Sequence, residues 1–262
     1  MKTPSCVLTI AGSDSGAGAG IQADARTIHA LGGFALTAIT AVTAQNSRKI
    51  AAWQAVSPAL IAAQIKSVTS DFPVRAIKTG LLPGAAAIRA VVSALPSGIP
   101  LVVDPVIGST SGTRFLSETG LRALKKHLLP QATLVTPNWP EAAALTGRPV
   151  RTFAEVEAAA QSLLSTGCQA VLVKGGHAPG GICRDCLVTA DGRVRWFEGP
   201  RIKTRNLHGT GCVLSAAIAT LLAQDRDLED AVGEAQKFLR RCLQKNRTVR
   251  LGHGAGPALV GV

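Results

Sequence analysis

The stretch CVLTIAGSDSGAGAGIQAD, residues 6–24, decides the fold class. Residues 6–11 form a short apolar run with β-branched side chains, which predicts a buried strand. Residues 12–20 are almost all small, and from residue 21 onward apolar side chains recur at helical spacing. A strand, a glycine-rich loop and a helix in this order are typical of an α/β protein.

The same alternation continues along the chain. Further strands are predicted at residues 34–40, 76–79, 101–104, 134–136 and 170–174, with a hairpin at 186–189 and 194–197. Helices are predicted at residues 21–31, 58–71, 85–95, 119–128, 152–166, 209–224 and 228–245. Because these strands are apolar on both faces and are separated by helices, we expect a largely parallel central sheet flanked by helices on both faces. No linker or repeat interrupts the pattern, so residues 1–262 are expected to form a single domain.

The composition excludes several classes of protein. Hydrophobic residues make up 47% of the chain and charged residues 17%, which argues against intrinsic disorder. The net charge of +12 favours anionic ligands, but the 28 lysines and arginines are scattered along the sequence. Aromatic residues are only 3% and no helix-turn-helix or zinc signature is present, so we expect no nucleic-acid partner.

The cysteines and apolar runs predict a soluble cytoplasmic protein. Cys183 and Cys186 form a C-x-x-C pair without the second pair that a zinc ribbon needs, so they are interpreted as reduced and inert. The apolar run near the N-terminus is too short for a secretory signal. No apolar stretch approaches the 18 residues that span a membrane, so no membrane partner is expected.

Ligands of such sheets bind beyond the carboxyl ends of the strands, and unusual residues follow several strands here. The loop at residues 12–20 contains four glycines, which lets its backbone approach a ligand and leaves helix amides free for an anion. It fits neither a Walker loop nor a dinucleotide fingerprint, and we interpret it as a substrate loop. Asp24, early in the next helix, either contributes to the site or only complements the helix dipole.

Three further segments carry candidate site residues. Gln45 offers a donor and an acceptor side by side, as an aminopyrimidine or adenine edge requires, although it could equally satisfy a turn. Asp104, Asn138 and Glu141 supply hard oxygen ligands suited to Mg²⁺. Asn138 and Glu141 also have the spacing of a helix cap, and both interpretations can hold together.

The last two segments point to phosphate chemistry. Lys174, followed by two glycines, can reach phosphates as a point charge. The segment His208-Gly209-Thr210-Gly211-Cys212 opens a long apolar helix and predicts a pocket of backbone amides for a phosphoryl group. Cys212 lies in the first turn, where the helix dipole would stabilise a thiolate, although cysteines at such positions are more commonly packed in a core.

Taken together, these motifs resemble a known family. LTIAGSDSGAGAGIQAD, AVTAQNS, VVDPV, TPNWPEA, VKGGH and NLHGTGC follow one another as in the hydroxymethylpyrimidine/phosphomethylpyrimidine kinases of thiamine biosynthesis, members of the ribokinase-like superfamily. The resemblance spans residues 5 to about 257. It implies a single-domain ribokinase-like fold and two ATP-dependent phosphorylations, which require Mg²⁺. The first acceptor would be 4-amino-5-hydroxymethyl-2-methylpyrimidine and the second its monophosphate.

The resemblance also implies a role for each candidate residue. Gln45, Gly12 and Asp24 would line the pyrimidine pocket. The anion hole would consist of Gly209, Thr210 and Gly211, and Gly211 and Lys174 would contact ATP. Cys212 stands where ribokinase relatives carry an aspartate base, and Asp104, Asn138 and Glu141 would form the magnesium network. A homodimer is expected.

Three positions depart from the family pattern. Leu81 stands where the family often has Met and Trp139 where Leu is usual, and either could reshape a pocket wall. His253 stands where many members have Lys, which would make the charge there depend on pH. Pyridoxal kinase activity and a non-catalytic pyrimidine-binding role remain as alternatives.

Overall fold

The computed structural model describes residues 3–108, 115–178 and 180–261. Its strands are β1 (Cys6–Asp14), β2 (Phe34–Gln45), β3 (Ile50–Ala55), β4 (Val74–Thr79), β5 (Leu101–Val103), β6 (Leu134–Val135), β7 (Ala170–Val173), β8 (Ile182–Thr189) and β9 (Val194–Pro200). Its helices are α1 (Gly20–Ala30), α2 (Pro58–Thr69), α3 (Ala85–Ala94), α4 (Glu118–Ala123), α5 (Trp139–Thr146), α6 (Phe153–Leu164), α7 (Thr210–Ala223) and α8 (Leu228–Lys245).

The strands build one sheet in the order β3-β2-β1-β4-β5-β6-β7-β8-β9. The six strands from β2 to β7 in this order are parallel, and β3, β8 and β9 pair antiparallel at the two edges. Helices α1, α7 and α8 pack against one face of the sheet, and α2 to α6 pack against the other. The predicted α/β fold, with a largely parallel sheet flanked on both faces, is confirmed.

The order of the strands places a crevice beside β1. The chain passes from β1 to β2 on one side and later returns through β4 on the other, so the connections diverge at the carboxyl end of β1. Such a switch point is where open α/β sheets bind ligands. Gly80, directly after β4, donates its N–H to the Ile10 carbonyl at 2.9 Å and keeps the two strand ends together.

Several boundaries differ from the predicted ones. β3 was not predicted, because its residues IAAWQA lack the apolar alternation of a half-buried strand, and five of the six are exposed at the sheet edge. The helix predicted at 119–128 is α4 followed by a wider π-helical turn at Leu124–Leu128. β8 begins at Ile182, four residues before the predicted strand at 186–189, so it contains both Cys183 and Cys186, and strand geometry directs them to opposite faces. Within the described ranges, no helix combines the length and apolar character needed to cross a membrane.

Candidate active site

The substrate loop between β1 and α1 is organised by the carboxylate of Asp14. Asp14 accepts hydrogen bonds from the backbone N–H groups of Gly16, Gly18 and Ala19 at 2.8, 3.0 and 2.9 Å. These loop amides are therefore satisfied by the protein itself. The expectation of free amides concerns α1 itself, which begins at Gly20, and it stays a prediction.

His208 connects this loop to the segment before α7. Its Nε2 lies 2.9 Å from Asp14 Oδ2 and 3.2 Å from the Gln45 amide nitrogen. Burial raises the pKa of Asp14, but hydrogen bonds from His208 and Gly16 outweigh this and hold it below its usual range. Asp14 is thus a carboxylate that accepts from the His208 ring. The packing is close, since a Cβ at Gly18 would collide with that ring.

Gln45 ends β2 with its carboxamide against His208. Because the His208 Nε2–H donates to Asp14, the same nitrogen cannot also accept from the Gln45 NH₂, so the Gln45 carboxamide keeps a donor and an acceptor for a ligand. The Gln45 backbone is anchored by Ser15, whose hydroxyl lies 2.8 Å from both its N and its O. Gly12 is buried on the neighbouring strand, and a Cβ there would lie 3.5 Å from Leu81 Cδ2. Leu81 therefore borders Gly12 in this crevice.

Asp24 is fully buried and does not border an open surface. Its Oδ2 accepts from Lys78 Nζ at 2.7 Å and from Thr9 Oγ1 at 2.6 Å. Its other oxygen, Oδ1, has no hydrogen-bond partner among the described residues. The structure therefore pairs Asp24 with a lysine of β4, and the predicted place of Asp24 beside Gln45 and Gly12 stays a prediction.

Lys78 is the site residue that the sequence analysis missed. It is fully buried, and burial lowers its pKa, but the charges of Asp24, Cys212 and Asp104 together outweigh burial, and the pKa is raised. Lys78 thus remains a cation, and its charge acts on the nearby thiol of Cys212. The only signal in the sequence is a lysine inside the apolar run of β4, which is unusual for a buried strand.

The start of α7 presents free amides. Gly209 caps the helix in the left-handed region, with φ of 80°, where a Cβ would collide with the Gly18 carbonyl. The amides of Gly209, Gly211 and Cys212 have no acceptor among the described residues, whereas the Thr210 N–H donates to the Leu207 carbonyl at 3.3 Å. Of the three predicted anion-hole residues, Thr210 therefore has an amide that is already used.

Cys212 lies in the first turn of α7 with its thiol directed inward. Burial raises its pKa to about 11, although Lys78 and the Gly20 N–H act in the opposite direction. The resting thiol is therefore protonated near neutral pH. Burial therefore acts against the thiolate that the helix dipole is expected to stabilise.

Lys174 joins the two carboxylates that were predicted to bind magnesium. Its Nζ lies 2.7 Å from Asp104 Oδ1 and 4.0 Å from Glu141 Oε2. A Cβ at Gly211 would lie 3.3 Å from Lys174 Nζ and 3.5 Å from Asp104 Oδ2, so this cluster faces the first turn of α7. The structure thus brings together residues from β5, β7, α5 and α7 that are far apart in sequence.

Asn138 and Glu141 form the capping box that was predicted as one of their two roles. Asn138 Oδ1 accepts from the Glu141 N–H at 2.9 Å, and Glu141 Oε2 accepts from the Asn138 N–H at 2.8 Å. Burial raises the pKa of Glu141 to about 7, with Lys174 lowering it and Asp104 raising it. Glu141 thus combines a structural contact with a carboxylate directed at Lys174.

The oxygen donors here fit a magnesium ion that is completed by phosphates and water. Asp104 and Glu141 supply two hard carboxylates, which is the usual protein share of a magnesium site. Among the described residues no group of three or more His, Cys, Asp or Glu side chains forms a metal cage. Lys174 lies between the same two carboxylates, so Asp104 and Glu141 already balance one positive charge in this structure.

Trp139 and His253, two of the positions that depart from the family pattern, have different surroundings. Trp139 is buried in the core, with its ring centroid 5.8 Å from that of Phe153. It therefore packs against α6, and the expected reshaping of a pocket wall has no support there. His253 is exposed, and its N–H donates to Ser47 Oγ at 3.1 Å, which places the C-terminal loop two residues from Gln45.

Comparison with known proteins agrees with this arrangement. A sequence model of the family described as phosphomethylpyrimidine kinase matches residues 14–259. The chain belongs to this family. The hydroxymethylpyrimidine/phosphomethylpyrimidine kinase of Rhizobium meliloti is 45% identical over 252 residues, which cover 95% of this chain and 94% of the relative.

Two solved structures are similar to this family member. A phosphomethylpyrimidine kinase from Clostridium difficile 630 has a TM-score of 0.80 and 35% identity, and covers 92% of this chain and 100% of its own. Pyridoxal kinase from Staphylococcus aureus in complex with AMP-PCP has a TM-score of 0.89 and 28% identity, and covers 98% of this chain and 93% of its own. The predicted family and its phosphotransferase class are confirmed.

Proposed function

We propose that the chain transfers the terminal phosphoryl group of ATP to 4-amino-5-hydroxymethyl-2-methylpyrimidine, and then transfers a second one to the resulting monophosphate. Membership of the phosphomethylpyrimidine kinase family makes it a kinase of thiamine biosynthesis. The assignment of individual residues to these two steps is our proposal.

The main support for this kinase reaction is that a phosphate-binding set of residues and a hydrogen-bonding wall lie next to each other beside the switch point of the sheet. On one side, Lys174, Asp104 and the free amides of α7 form a charged surface suited to phosphates. On the other side, Asp14, His208 and Gln45 form a hydrogen-bonded wall with one amide group left over. The His208–Gly209 junction joins both, because Gly209 packs directly on the substrate loop.

Gln45 would read the pyrimidine edge. The Gln45 carboxamide beside His208 can donate from its NH₂ to a ring nitrogen, while its oxygen can accept from an exocyclic amine. Gly12 and Leu81 would supply the apolar floor of the same pocket. Asp24 is fully buried, so it would affect the site indirectly, by holding the Lys78 ammonium in place.

The phosphate end would stabilise the charge that develops during transfer. The amides of Gly209, Gly211 and Cys212 would donate to the transferred phosphoryl group, and Lys174 would neutralise the nucleotide phosphates. A magnesium ion held by Asp104 and Glu141, with Asn138 fixing Glu141, would shield the negative charge of these phosphates. Lys174 would then move from Asp104 toward the nucleotide.

Cys212 would take the proton of the alcohol in the first step. Its thiol is neutral at rest, so it would first lose its own proton to solvent, which the nearby Lys78 cation favours by lowering the pKa. The thiolate would then accept the alcohol proton as the new O–P bond forms and the bond from phosphorus to ADP breaks. The second acceptor is a phosphate monoester that is already anionic near neutral pH, and it needs no base. A neutral cysteine would repel this acceptor less than a carboxylate would.

Pyridoxal kinase activity is the second candidate, and the Staphylococcus aureus structure favours it, because a pyridoxal kinase shares this fold over almost the whole chain. The Gln45 wall favours the aminopyrimidine, because pyridoxal lacks an amine beside its ring nitrogen. The cytoplasmic location, the homodimer and the absence of nucleic-acid or membrane partners stay predictions from the sequence.

The test is an acceptor panel with Mg-ATP. We expect kcat/KM for the pyrimidine alcohol to exceed that for pyridoxal by at least tenfold, with both the monophosphate and the diphosphate detected by mass spectrometry. A higher kcat/KM for pyridoxal, or no diphosphate after exhaustive incubation, would contradict the proposal.

A further inference from the structure

A basic cavity lies between the segment before α7 and the segment after α8. It measures about 530 Å³ and is lined by Lys203, Thr204, Arg205, Arg247, Thr248 and Arg250. Four of these six side chains are cationic, two are hydroxyls and none is acidic. We call this set the basic cavity.

Buried hydrogen bonds hold the two walls of the basic cavity together. Asn206 is 3% exposed, and its Nδ2 donates to the carbonyls of Asn246 and Val249 at 2.7 and 2.9 Å. Thr204 Oγ1 also donates to the Arg247 carbonyl at 3.1 Å. The main chains that carry the four cations are therefore fixed relative to each other, which lowers the entropy cost of binding a ligand between them.

The four cations of the basic cavity have no ion-pair partner among the described residues. Other surface arginines behave differently, since Arg75, Arg184 and Arg193 each contact a carboxylate within 3.0 Å. The sequence explains the contrast, because residues 199–224 and 235–262 contain no Asp or Glu. Like charges that converge without a counterion are a favourable place for an anion.

We propose that the basic cavity binds an oligophosphate, a di- or triphosphate group, at a site separate from the amides of α7. Three arginines and a lysine offer the forked and point-like donors that phosphates prefer. The volume is that of a small-molecule site. No aromatic side chain lines it, so it offers no platform for stacking the bases of a nucleic acid.

The basic cavity adjoins the active site along the chain. Arg205 precedes His208 by three residues, a span of at most about 10 Å. His208 is also tied to the C-terminal loop, since its N–H donates to the Gly256 carbonyl at 3.0 Å and its carbonyl accepts from the Ala258 N–H at 2.8 Å. An oligophosphate held here would therefore lie close to His208 and to the start of α7.

The experiment measures pyrophosphate binding by calorimetry without magnesium and at constant ionic strength. All titrations use a Lys174→Gln background, which removes the cation of the catalytic phosphate site. We expect pyrophosphate to bind this protein more tightly than sulfate does, and Arg247→Gln/Arg250→Gln to weaken binding by at least tenfold. Lys125→Gln/Lys126→Gln, a matched loss of two exposed charges elsewhere, should change binding less than twofold.

Two further arms identify the source of the phosphates. Mg-free ATP and the pyrimidine diphosphate are titrated into the same variants, and the natural source is the one whose affinity is higher and depends on Arg247 and Arg250. An equal effect of the two charge-matched pairs would mean that only the general positive field attracts anions. That result, or pyrophosphate binding no tighter than sulfate, would overturn the proposal. Because this readout needs no turnover, it is independent of the proposed kinase reaction.

Discussion

Replacing Cys212 by serine should separate the two phosphorylations. A thiol with a pKa of about 11 is ionised in only about one molecule in 10⁴ at pH 7. Removing its proton at that pH therefore costs about 5 kcal/mol, at 1.36 kcal/mol per pH unit. Serine keeps a hydrogen-bonding group of similar size but gives up its proton far less readily, so the first step should lose the ~10²- to 10⁴-fold that a general base contributes.

The second step should be nearly unchanged, because its acceptor carries a negative charge already. We expect Cys212→Ser to slow the first step by at least tenfold more than the second. In the wild-type protein, the ratio of first-step to second-step rates should rise by up to about tenfold per pH unit from pH 7 to 9, since the pH approaches the Cys212 pKa from below.

Single-turnover rates with the alcohol and with the monophosphate, at saturating Mg-ATP, measure both expectations. The affinity for ATP provides the control, because the Gly209 and Gly211 amides survive the substitution. Equal losses in the two steps would contradict a role of Cys212 as a base and would show that it only shapes the phosphate pocket. A rate ratio that does not depend on pH would refute the role of its ionisation.

Three other substitutions test the remaining contacts. Gln45→Glu should lower kcat/KM for the pyrimidine by about ten- to a hundredfold, since a mispaired buried polar group costs roughly 1–3 kcal/mol; an affinity within twofold of wild type would reject the contact. Glu141→Gln should raise the Mg²⁺ concentration at half-maximal rate without lowering the melting temperature, because Gln can still accept from the Asn138 N–H. In the wild-type protein the required Mg²⁺ concentration should rise as the pH falls below about 7, because the Glu141 carboxyl takes up a proton; in Glu141→Gln it should not depend on pH in this range. A lowered melting temperature with an unchanged Mg²⁺ requirement would show that Glu141 only caps the helix. Lys78→Met should lower the free energy of unfolding by about 3–5 kcal/mol, since it leaves the Asp24 carboxylate buried without a cation. Adding Asp24→Asn should restore part of that free energy. Urea denaturation measures both, and a double variant as unstable as the single one would contradict the ion pair.

The sequence predicted the central strands well, because their apolar runs are bounded by glycine and polar residues. β1, β4 and β7 lie where local patterns placed them, and the parallel order follows from the alternation with helices. β3 escaped prediction because it is an exposed edge strand stabilised by pairing with β2. Its side chains carry no periodic signal, so only the fold reveals it.

The site was predictable in its parts but not in its connections. Asp104 follows β5 and Lys174 follows β7, and only β6 lies between these two parallel strands. The two side chains are therefore close because the carboxyl ends of parallel strands lie at the same edge of the sheet. The partnership of Asp14 with His208 spans 194 residues, and that of Lys78 with Asp24 depends on which side chain of β4 faces α1. The pKa of Cys212 could not be predicted either, because the dipole is visible in the sequence and the burial is not.

The most direct measurement supplies the pyrimidine monophosphate as the sole acceptor with Mg-ATP and follows the products by mass spectrometry. We expect conversion to the diphosphate with one ADP formed for each molecule. We also expect strong inhibition by the pyrimidine alcohol, because both acceptors use the wall formed by Gln45 and His208. ADP release without diphosphate, or diphosphate formation that excess alcohol does not slow, would contradict a single site that performs both transfers.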